Sequence, residues 1–137
     1  MIVFVDTSAF YAIMDGSDAN HSNTISQWEA LLAADDTLVT TGWVLVETLA
    51  LLQHRLGLDA VRAFQEDIYP LLRIQWPDRA LFEAGVAAVL TAMRRDLSVV
   101  DCASFIVMRT LGAQHAFAFD RHFEEQGFRG MEPDNSA

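Results

Sequence analysis

The pattern of apolar residues predicts a buried strand at positions 2–5, and a carboxylate follows it directly. This run holds four large apolar residues, three of them β-branched, as expected for a strand that is covered on both faces. Asp6 comes next and therefore lies at the carboxyl end of the predicted strand. Ligands of open parallel α/β sheets bind just beyond the carboxyl ends of the strands. Asp6 is thus the first candidate functional residue.

Helical and strand-like patterns alternate along the rest of the chain. Apolar residues at helical spacing predict helices at 7–14, 20–34, 42–56, 58–69, 77–95 and 99–111, of which 77–95 is the longest. Short apolar runs predict strands at 37–40, 71–76 and 115–119, followed by a helical turn at 121–126 and an edge strand at 127–128. This alternation predicts an α/β fold with a central, mainly parallel sheet flanked by helices.

Length and composition predict one domain at residues 1–130, with a disordered tail at 131–137. Apolar residues make up 52% of the chain, above the usual ~45–50%, and this surplus predicts a protein–protein surface. No run reaches the ~18 apolar residues of a membrane helix, and no signal peptide precedes the first strand. We therefore expect no membrane association and a cytoplasmic location. The single Cys102 cannot form an intramolecular disulfide, which is consistent with a reducing compartment.

The net charge of −10 argues against binding of nucleic acid through bulk electrostatics. Two arrangements would reverse this expectation. A cluster of carboxylates can bind divalent cations that change the local sign of the potential, and a basic partner chain can neutralise the acidic surface. The positions of the carboxylates therefore decide the functional prediction.

Asp120 and Glu47 join Asp6 as candidate site residues. Asp120 directly follows the predicted strand at 115–119, as Asp6 follows the first strand, and the alternative for each is a helix cap. Glu47 has apolar residues three and four positions away on both sides, which predicts a carboxylate on an apolar helix face. Buried glutamates are seldom unpaired. The alternatives for Glu47 are an ion pair with an arginine or a position at the wet edge of the helix.

Asp101 occupies the first turn of the helix predicted at 99–111. Its spacing from Ser98 resembles a capping box, which is the structural alternative for this carboxylate. Carboxylates that converge at one sheet edge repel one another unless a cation lies among them. Oxygen-only ligation favours Mg²⁺ or Mn²⁺, and a metal-activated water is a suitable nucleophile for phosphodiester hydrolysis.

Four segments resemble, in order and spacing, the signature blocks of PIN-domain ribonucleases: VFVDTS (3–8), WVLVET (43–48), LSVVDCASF (97–105) and FAFDRHF (117–123). The resemblance is greatest to the VapC-type toxins of type II toxin–antitoxin modules, and it covers nearly the whole chain. It implies a PIN-like three-layer sandwich and a Mg²⁺- or Mn²⁺-dependent endoribonuclease that cleaves structured RNA, either tRNA or rRNA. It also implies a homodimer and inhibition by a cognate antitoxin.

The same resemblance assigns an acidic quartet that binds metal and catalyses cleavage, namely Asp6, Glu47, Asp101 and Asp120. Asp6 and Asp101 would bind the metal, and Asp120 would do so directly or through water. Glu47 would bind a water or orient the attacking one. Many relatives carry Ser or Thr two residues before the last aspartate, where this chain has Ala118.

Two other functions remain open at this point. One is a haloacid-dehalogenase-type phosphohydrolase, which also begins with an apolar strand and an aspartate but has a second aspartate where this chain has Ser8. The other is a non-catalytic protein-interaction module of the PIN fold, which the net charge and Ala118 favour. The four histidines, among them His122, lack the spacing of metal ligands and are predicted to be structural or at the surface.

Overall fold

The computed structural model describes residues 1–131. The strands are β1 (Ile2–Val5), β2 (Thr37–Thr41), β3 (Arg73–Gln75) and β4 (His115–Phe117). They form one sheet in the order β3-β2-β1-β4, and every pairing between them is parallel. Val3, Phe4 and Val5 of the central strand β1 are fully buried, as the apolar run predicts.

The helices are α1 (Thr7–Met14), α2 (His21–Ala33), α3 (Gly42–Leu56), α4 (Leu58–Ala63), α5 (Arg79–Ala92), α6 (Val99–Leu111) and α7 (His122–Glu125). Helix α1 packs against α2 and α3, and α5 packs against α6, while α3 and α6 both contact β2. The expected α/β sandwich with a parallel sheet flanked by helices is confirmed. None of these helices has the length and apolar character needed to cross a lipid bilayer.

The register of the sheet brings the carboxyl ends of β1 and β4 to the same level. Phe4 pairs with Val39 of β2 on one side and with Ala116 of β4 on the other. The ladder continues one residue further, because the Asp6 N–H donates to the Phe117 carbonyl at 3.0 Å. Asp6 therefore lies at the same edge of the sheet as the segment that follows β4.

Helices α1, α3 and α6 begin and end where the sequence predicts. Strong local signals mark the ends of α3 and α6. The Thr41 hydroxyl accepts the Val44 N–H at the start of α3, and Gly57 ends that helix with a φ of 92°. Ser98 caps α6, and Gly112 ends it in the left-handed region with a φ of 73°.

The prediction of a single helix at 58–69 is wrong. Helix α4 ends at Ala63, and the chain continues through a π-helical turn (Phe64–Ile68) and a 3₁₀ turn (Tyr69–Leu71). Pro70 lies inside the 3₁₀ turn, and a proline lacks the N–H of a regular helix and clashes with the carbonyl four residues before it. The hydrogen-bond pattern therefore changes before Pro70. The strand predicted at 71–76 shortens to β3 as a result.

The boundaries predicted for the helix at 77–95 are also wrong. The Asp78 carboxylate accepts the Leu81 N–H at 2.8 Å, so α5 begins two residues after Pro77. The helix ends before Met93, which adopts a left-handed conformation with a φ of 53°. With 14 residues, α5 is shorter than the 15-residue α3. Arg94 lies beyond the helix and pairs with Asp96 instead of interacting with the last turn.

The last part of the described chain has less strand than predicted. β4 ends at Phe117, and the backbone N–H of Phe119 donates to the Ser8 hydroxyl instead of a neighbouring strand. The edge strand predicted at 127–128 does not form. Instead, Arg129 makes a single parallel bridge with His115. Residues 132–137 of the predicted tail lie outside the described residues, whereas Met131 is partly buried against the core.

Helix α7 is short, and an aromatic contact holds it against the core. Phe123 is buried, and its ring lies 6.0 Å from the ring of Phe4 and 5.2 Å from that of Phe105. Rings at these separations contribute dispersion and quadrupole attraction in addition to apolar burial. The position of the neighbouring His122 is therefore set by core packing.

Candidate active site

Asp6 lies at the N-cap position of α1, yet its side chain does not cap that helix. Its backbone is extended, and the carboxylate makes no regular capping hydrogen bond, although the amides of Thr7 and Ser8 in the first turn of α1 interact with it and lower its pKa. The nearest side-chain partner is Ser8, whose hydroxyl donates to Asp6 Oδ2 at 3.4 Å. The carboxylate therefore lacks the regular geometry of a helix cap and faces the other acids at this edge.

The surroundings of Asp6 oppose its ionisation. Burial, together with the neighbouring carboxylates of Asp101 and Asp120, raises the pKa of Asp6 to about 6, although the amides of Thr7 and Ser8 lower it in part. Asp6 is therefore within electrostatic reach of two other predicted site residues. A cation placed among these groups would relieve both the burial cost and the repulsion.

Asp101 combines a structural role with a position at this edge. Its backbone N–H donates to the Ser98 hydroxyl at 3.0 Å, and its Oδ2 accepts the Ser98 N–H at 3.0 Å, which completes the capping box that the sequence predicts. The first turn of α6 holds the carboxylate in one orientation by these two bonds. The negative charge of Asp101 nevertheless raises the pKa of both Asp6 and Glu47.

Asp120 and His122 form a tight turn after β4. Asp120 Oδ1 accepts the His122 N–H at 2.9 Å, and the His122 ring returns toward the same carboxylate. Nδ1 of His122 lies 3.2 Å from Asp120 Oδ1 and 4.0 Å from Asp101 Oδ2. One potential ligand atom from each of these three residues lies within 4.8 Å of the other two.

Glu47 lies at the rim of this cluster, and the burial predicted for it is wrong. Its side chain is exposed, because α3 turns Val44 and Thr48 into the core, and the adjacent Val46 is 65% exposed. Among the described residues it has no ion pair, so the arginine alternative does not apply. Partial desolvation and the Asp101 carboxylate raise its pKa above the usual range. The charge of Glu47 thus interacts with Asp101 of the cluster from the solvent side.

A groove of about 250 Å³ borders the cluster at Asp120. Phe119 and the exposed Arg121 line it from the segment after β4, and Asn23 and Gln27 line it from α2. It combines an aromatic face, a cation and amide groups next to the carboxylates. Ring stacking and phosphate contacts of this kind are used in recognition of single-stranded nucleic acid.

The donors in this cluster fit a divalent cation. Carboxylate oxygens are the preferred ligands of Mg²⁺ and Mn²⁺. Within the described part of the chain, His122 Nδ1 is the buried side-chain polar atom that has no hydrogen-bond partner, and it faces the same carboxylates. A bound cation would satisfy that nitrogen and would neutralise the repulsion among the acids.

The PIN domain family model matches residues 3–129, a range that contains all four predicted carboxylates. The chain belongs to the PIN domain family. The family resemblance inferred from the four sequence blocks is therefore confirmed. The match gives no support to the haloacid-dehalogenase alternative.

Relatives of this PIN domain protein include VapC20 of Mycobacterium tuberculosis, a 23S rRNA-specific endonuclease. The two chains are 33% identical over 134 residues, which is 97% of this chain and 100% of VapC20. The crystal structure of VapC20, a sarcin-ricin loop cleaving toxin, matches with a TM-score of 0.82 and 32% identity over 96% of this chain and 99% of that chain.

More distant structures share the fold alone. VapBC2 from Rickettsia felis, solved with a DNA fragment from its promoter, matches with a TM-score of 0.70 and 12% identity over 98% of this chain and 100% of that chain. FitAcB from Neisseria gonorrhoeae matches with a TM-score of 0.68 and 13% identity over 97% of this chain and 99% of that chain. The architecture is therefore retained at low identity.

One residue beside the carboxylates of this PIN domain protein was not among the predicted site residues. His122 was predicted to be structural or at the surface, yet its ring contacts the carboxylates. A signal was present, because His122 follows Asp120 by two residues directly after the last strand, the spacing of a turn in which an aspartate accepts a backbone amide. Ala118 has no hydroxyl, and Ser8 supplies one at this edge from the neighbouring strand end.

Proposed function

We propose that this PIN domain protein is a Mg²⁺- or Mn²⁺-dependent endoribonuclease and the toxin of a type II toxin–antitoxin module. The observation that carries the proposal is the convergence of Asp6, Asp101 and Asp120 at one sheet edge, where burial and mutual repulsion raise the pKa of Asp6 to about 6. Such an arrangement costs folding free energy unless it serves a cation. The similarity to VapC20 over nearly the full length of both chains supports the same class of enzyme.

The three aspartates share one task in the proposed reaction, which is to hold the cation. Asp6 and Asp101 hold the cation, and Asp120 holds it directly or through a water. When bound, the cation would polarise the scissile phosphate and lower the pKa of a water. Ser8 orients Asp6 through its 3.4 Å hydrogen bond, and Ser98 orients Asp101 through the capping box. In-line attack by water then leaves a 5′-phosphate and a 3′-hydroxyl.

Glu47 is the proposed orienting base for the attacking water. Its exposed position at the rim suits a group that must contact solvent, and its raised pKa makes it a better proton acceptor than an ordinary glutamate. It lies on α3, whereas the proposed ligands lie after β1, at the start of α6 and after β4. The metal ligands and the base are therefore held by different elements.

The proposed substrate is a structured RNA, with rRNA favoured over tRNA because VapC20 acts on 23S rRNA. The groove beside Asp120 supports contact with an unpaired nucleotide, since Phe119 offers a ring face and Arg121 a cation. Because the net charge is −10, attraction of RNA to this edge would depend on local positive charge, to which the bound cation and Arg121 would contribute. Base-flipped or looped nucleotides are the expected target.

A protein partner is proposed from the exposed apolar side chains near α5. Large apolar residues are exposed there, namely Trp76, Phe82, Leu90 and Met93. Such a patch is typical of an interface, and we propose that it serves a second copy of the chain or a cognate antitoxin in the cytoplasm. Light scattering of the purified chain tests the first case, with a dimer expected for wild type and a monomer for Leu90→Ser.

The decisive experiment is sequencing of RNA 5′ ends after incubation of the purified chain with total RNA and Mg²⁺ or Mn²⁺. New 5′-phosphate ends at defined positions in rRNA or tRNA are expected for wild type. They should disappear with Asp101→Asn and persist with Glu29→Gln, a change at an exposed glutamate of α2. A folded wild-type protein that binds neither ion and creates no new ends would instead support the non-catalytic interaction module.

A further inference from the structure

The His122 ring has one nitrogen that lacks a hydrogen bond and faces carboxylates. Nδ1 is buried and lies 3.2 Å from Asp120 Oδ1, yet the two atoms form no hydrogen bond. A second carboxylate oxygen, Asp101 Oδ2, lies 4.0 Å away. A buried imidazole nitrogen beside carboxylate oxygens is satisfied by a well-placed proton or by a cation bound between the groups.

The other nitrogen of the ring faces a third carboxylate. Nε2 lies 3.4 Å from Asp96 Oδ2, and Arg94 holds that aspartate with two hydrogen bonds of 3.1 and 2.7 Å. Arg94 in turn bonds Glu125 of α7 at 2.8 Å. Metal-bound imidazoles commonly place their second nitrogen against a carboxylate, which orients the ring and keeps the proton away from the metal-facing atom.

The two distances from His122 Nδ1 suit ligands of one ion. Two ligands that are each about 2.1 Å from the same cation are at most about 4.2 Å apart. His122 Nδ1 is within that limit of both Asp120 Oδ1 and Asp101 Oδ2. The ring is also held in place, because Phe123 packs against Phe4 and Phe105 and the His122 N–H bonds Asp120.

We propose that His122 Nδ1 binds the divalent cation together with Asp101 and Asp120, and that this nitrogen makes the site prefer Mn²⁺ to Mg²⁺. The inference rests on the proposed function, since it concerns the same cation. Mg²⁺ strongly prefers oxygen ligands, whereas imidazole is a good ligand of first-row transition metals. Arg94 and Asp96 are positioning residues for the ring.

The test is the electron spin-echo modulation of Mn²⁺ bound to the full chain. Coupling to a histidine nitrogen is expected in wild type, should be lost in His122→Gln, and should persist in His54→Gln, which changes an exposed histidine of α3. Calorimetry should show that His122→Gln lowers the ratio of Mn²⁺ to Mg²⁺ affinity by about tenfold or more. Asp96→Asn should keep the coupling and weaken Mn²⁺ binding.

The possible results separate this inference from the proposed function. Mn²⁺ that binds with carboxylate and water ligands but without nitrogen coupling overturns the role of His122 and leaves the nuclease proposal standing. A wild-type chain that binds neither ion overturns both. If His122→Gln does not fold, single replacements of His21, His54 and His115 assign the coupling by exclusion, and loss of the signal in one of them overturns the assignment to His122.

Discussion

The hydroxyl of Ser8 accepts a hydrogen bond from the backbone N–H of Phe119 at 2.9 Å. This bond ties the first turn of α1 to the segment that follows β4. The same hydroxyl donates to Asp6 Oδ2 at 3.4 Å. One side chain therefore couples the two strand ends that carry Asp6 and Asp120, at the edge where this chain has Ala118.

Removal of this hydroxyl in Ser8→Ala should lower both stability and metal affinity. The lost hydrogen bonds predict a decrease of about 1 kcal/mol in the free energy of unfolding. Misorientation of Asp6 predicts a roughly tenfold weaker affinity for Mn²⁺. Urea denaturation and calorimetry measure the two effects. Ser17→Ala, which removes a hydroxyl bonded to Asp15 in an exposed turn, is the matched control and should not change Mn²⁺ affinity.

The raised pKa of Asp6 predicts a specific dependence of stability on pH in metal-free buffer. The folded chain holds the Asp6 proton to a pKa of about 6, whereas the unfolded chain releases it near 3.8, so the folded state binds more protons between these values. The free energy of unfolding should therefore fall as the pH rises through this window, by no more than about 3 kcal/mol. Asp6→Asn should remove this part of the decrease.

Metal should narrow or close this difference in stability, because it should stabilise wild type more than Asp6→Asn. Without metal above pH 6, Asp6→Asn is expected to unfold at a higher urea concentration than wild type, because it lacks the buried charge. Mn²⁺ at about 100 times its dissociation constant should stabilise wild type by about 2.7 kcal/mol and the variant by much less. Equal stabilisation of both proteins would mean that Asp6 is not a ligand.

Asp101 and Ser98 share a capping box, and substitutions can separate its structural role from its role in the site. Ser98→Ala removes the hydroxyl that accepts the Asp101 N–H and should cost about 1 kcal/mol of stability while RNA cleavage is retained. Asp101→Asn keeps an oxygen that can accept the Ser98 N–H, so α6 should stay intact while cleavage is lost. Circular dichroism and an RNA cleavage assay check both. Full activity of Asp101→Asn is the result that would contradict its assignment.

Glu47→Gln should impair catalysis without destabilising the protein. The side chain is exposed, so the free energy of unfolding should change by no more than about 0.5 kcal/mol. Loss of the proposed base predicts a decrease of roughly 100-fold in the cleavage rate under single-turnover conditions. Because only ionised Glu47 accepts a proton, the wild-type rate should fall as the pH drops below its raised pKa. Glu29→Gln is the control, and a comparable loss of rate in it would argue for a general charge effect.

Elements bounded by strong local signals were predicted well. Ser98 and Gly112 mark the ends of α6, and Gly57 marks the end of α3, because a side-chain cap and a left-handed residue act on the adjacent backbone alone. The strand β1, buried at Val3, Phe4 and Val5, was predicted for the same reason, since four consecutive large apolar residues leave no polar face. Asp6 follows from that strand without knowledge of any distant residue.

Features that depend on distant partners were predicted poorly. Glu47 was expected on a buried face, but which side of α3 is covered depends on α1, where Thr7 and Thr48 meet at 3.0 Å. His122 was missed because its ring is held by Phe123 packing on Phe4 and Phe105, two residues from other elements. Neither contact leaves a periodic signal in the sequence.

The sequence by itself determined the α/β class, the ends of three helices and the PIN family resemblance, because these depend on residue patterns that act locally. Only the tertiary structure decided that Asp6, Asp101 and Asp120 share one electrostatic environment, that Glu47 lies at its exposed rim, and that His122 turns an unpaired nitrogen toward it. The physical reason is that Coulomb interaction and burial depend on distance in space, and parallel strand pairing brings together residues more than 100 positions apart, such as Ser8 and Phe119.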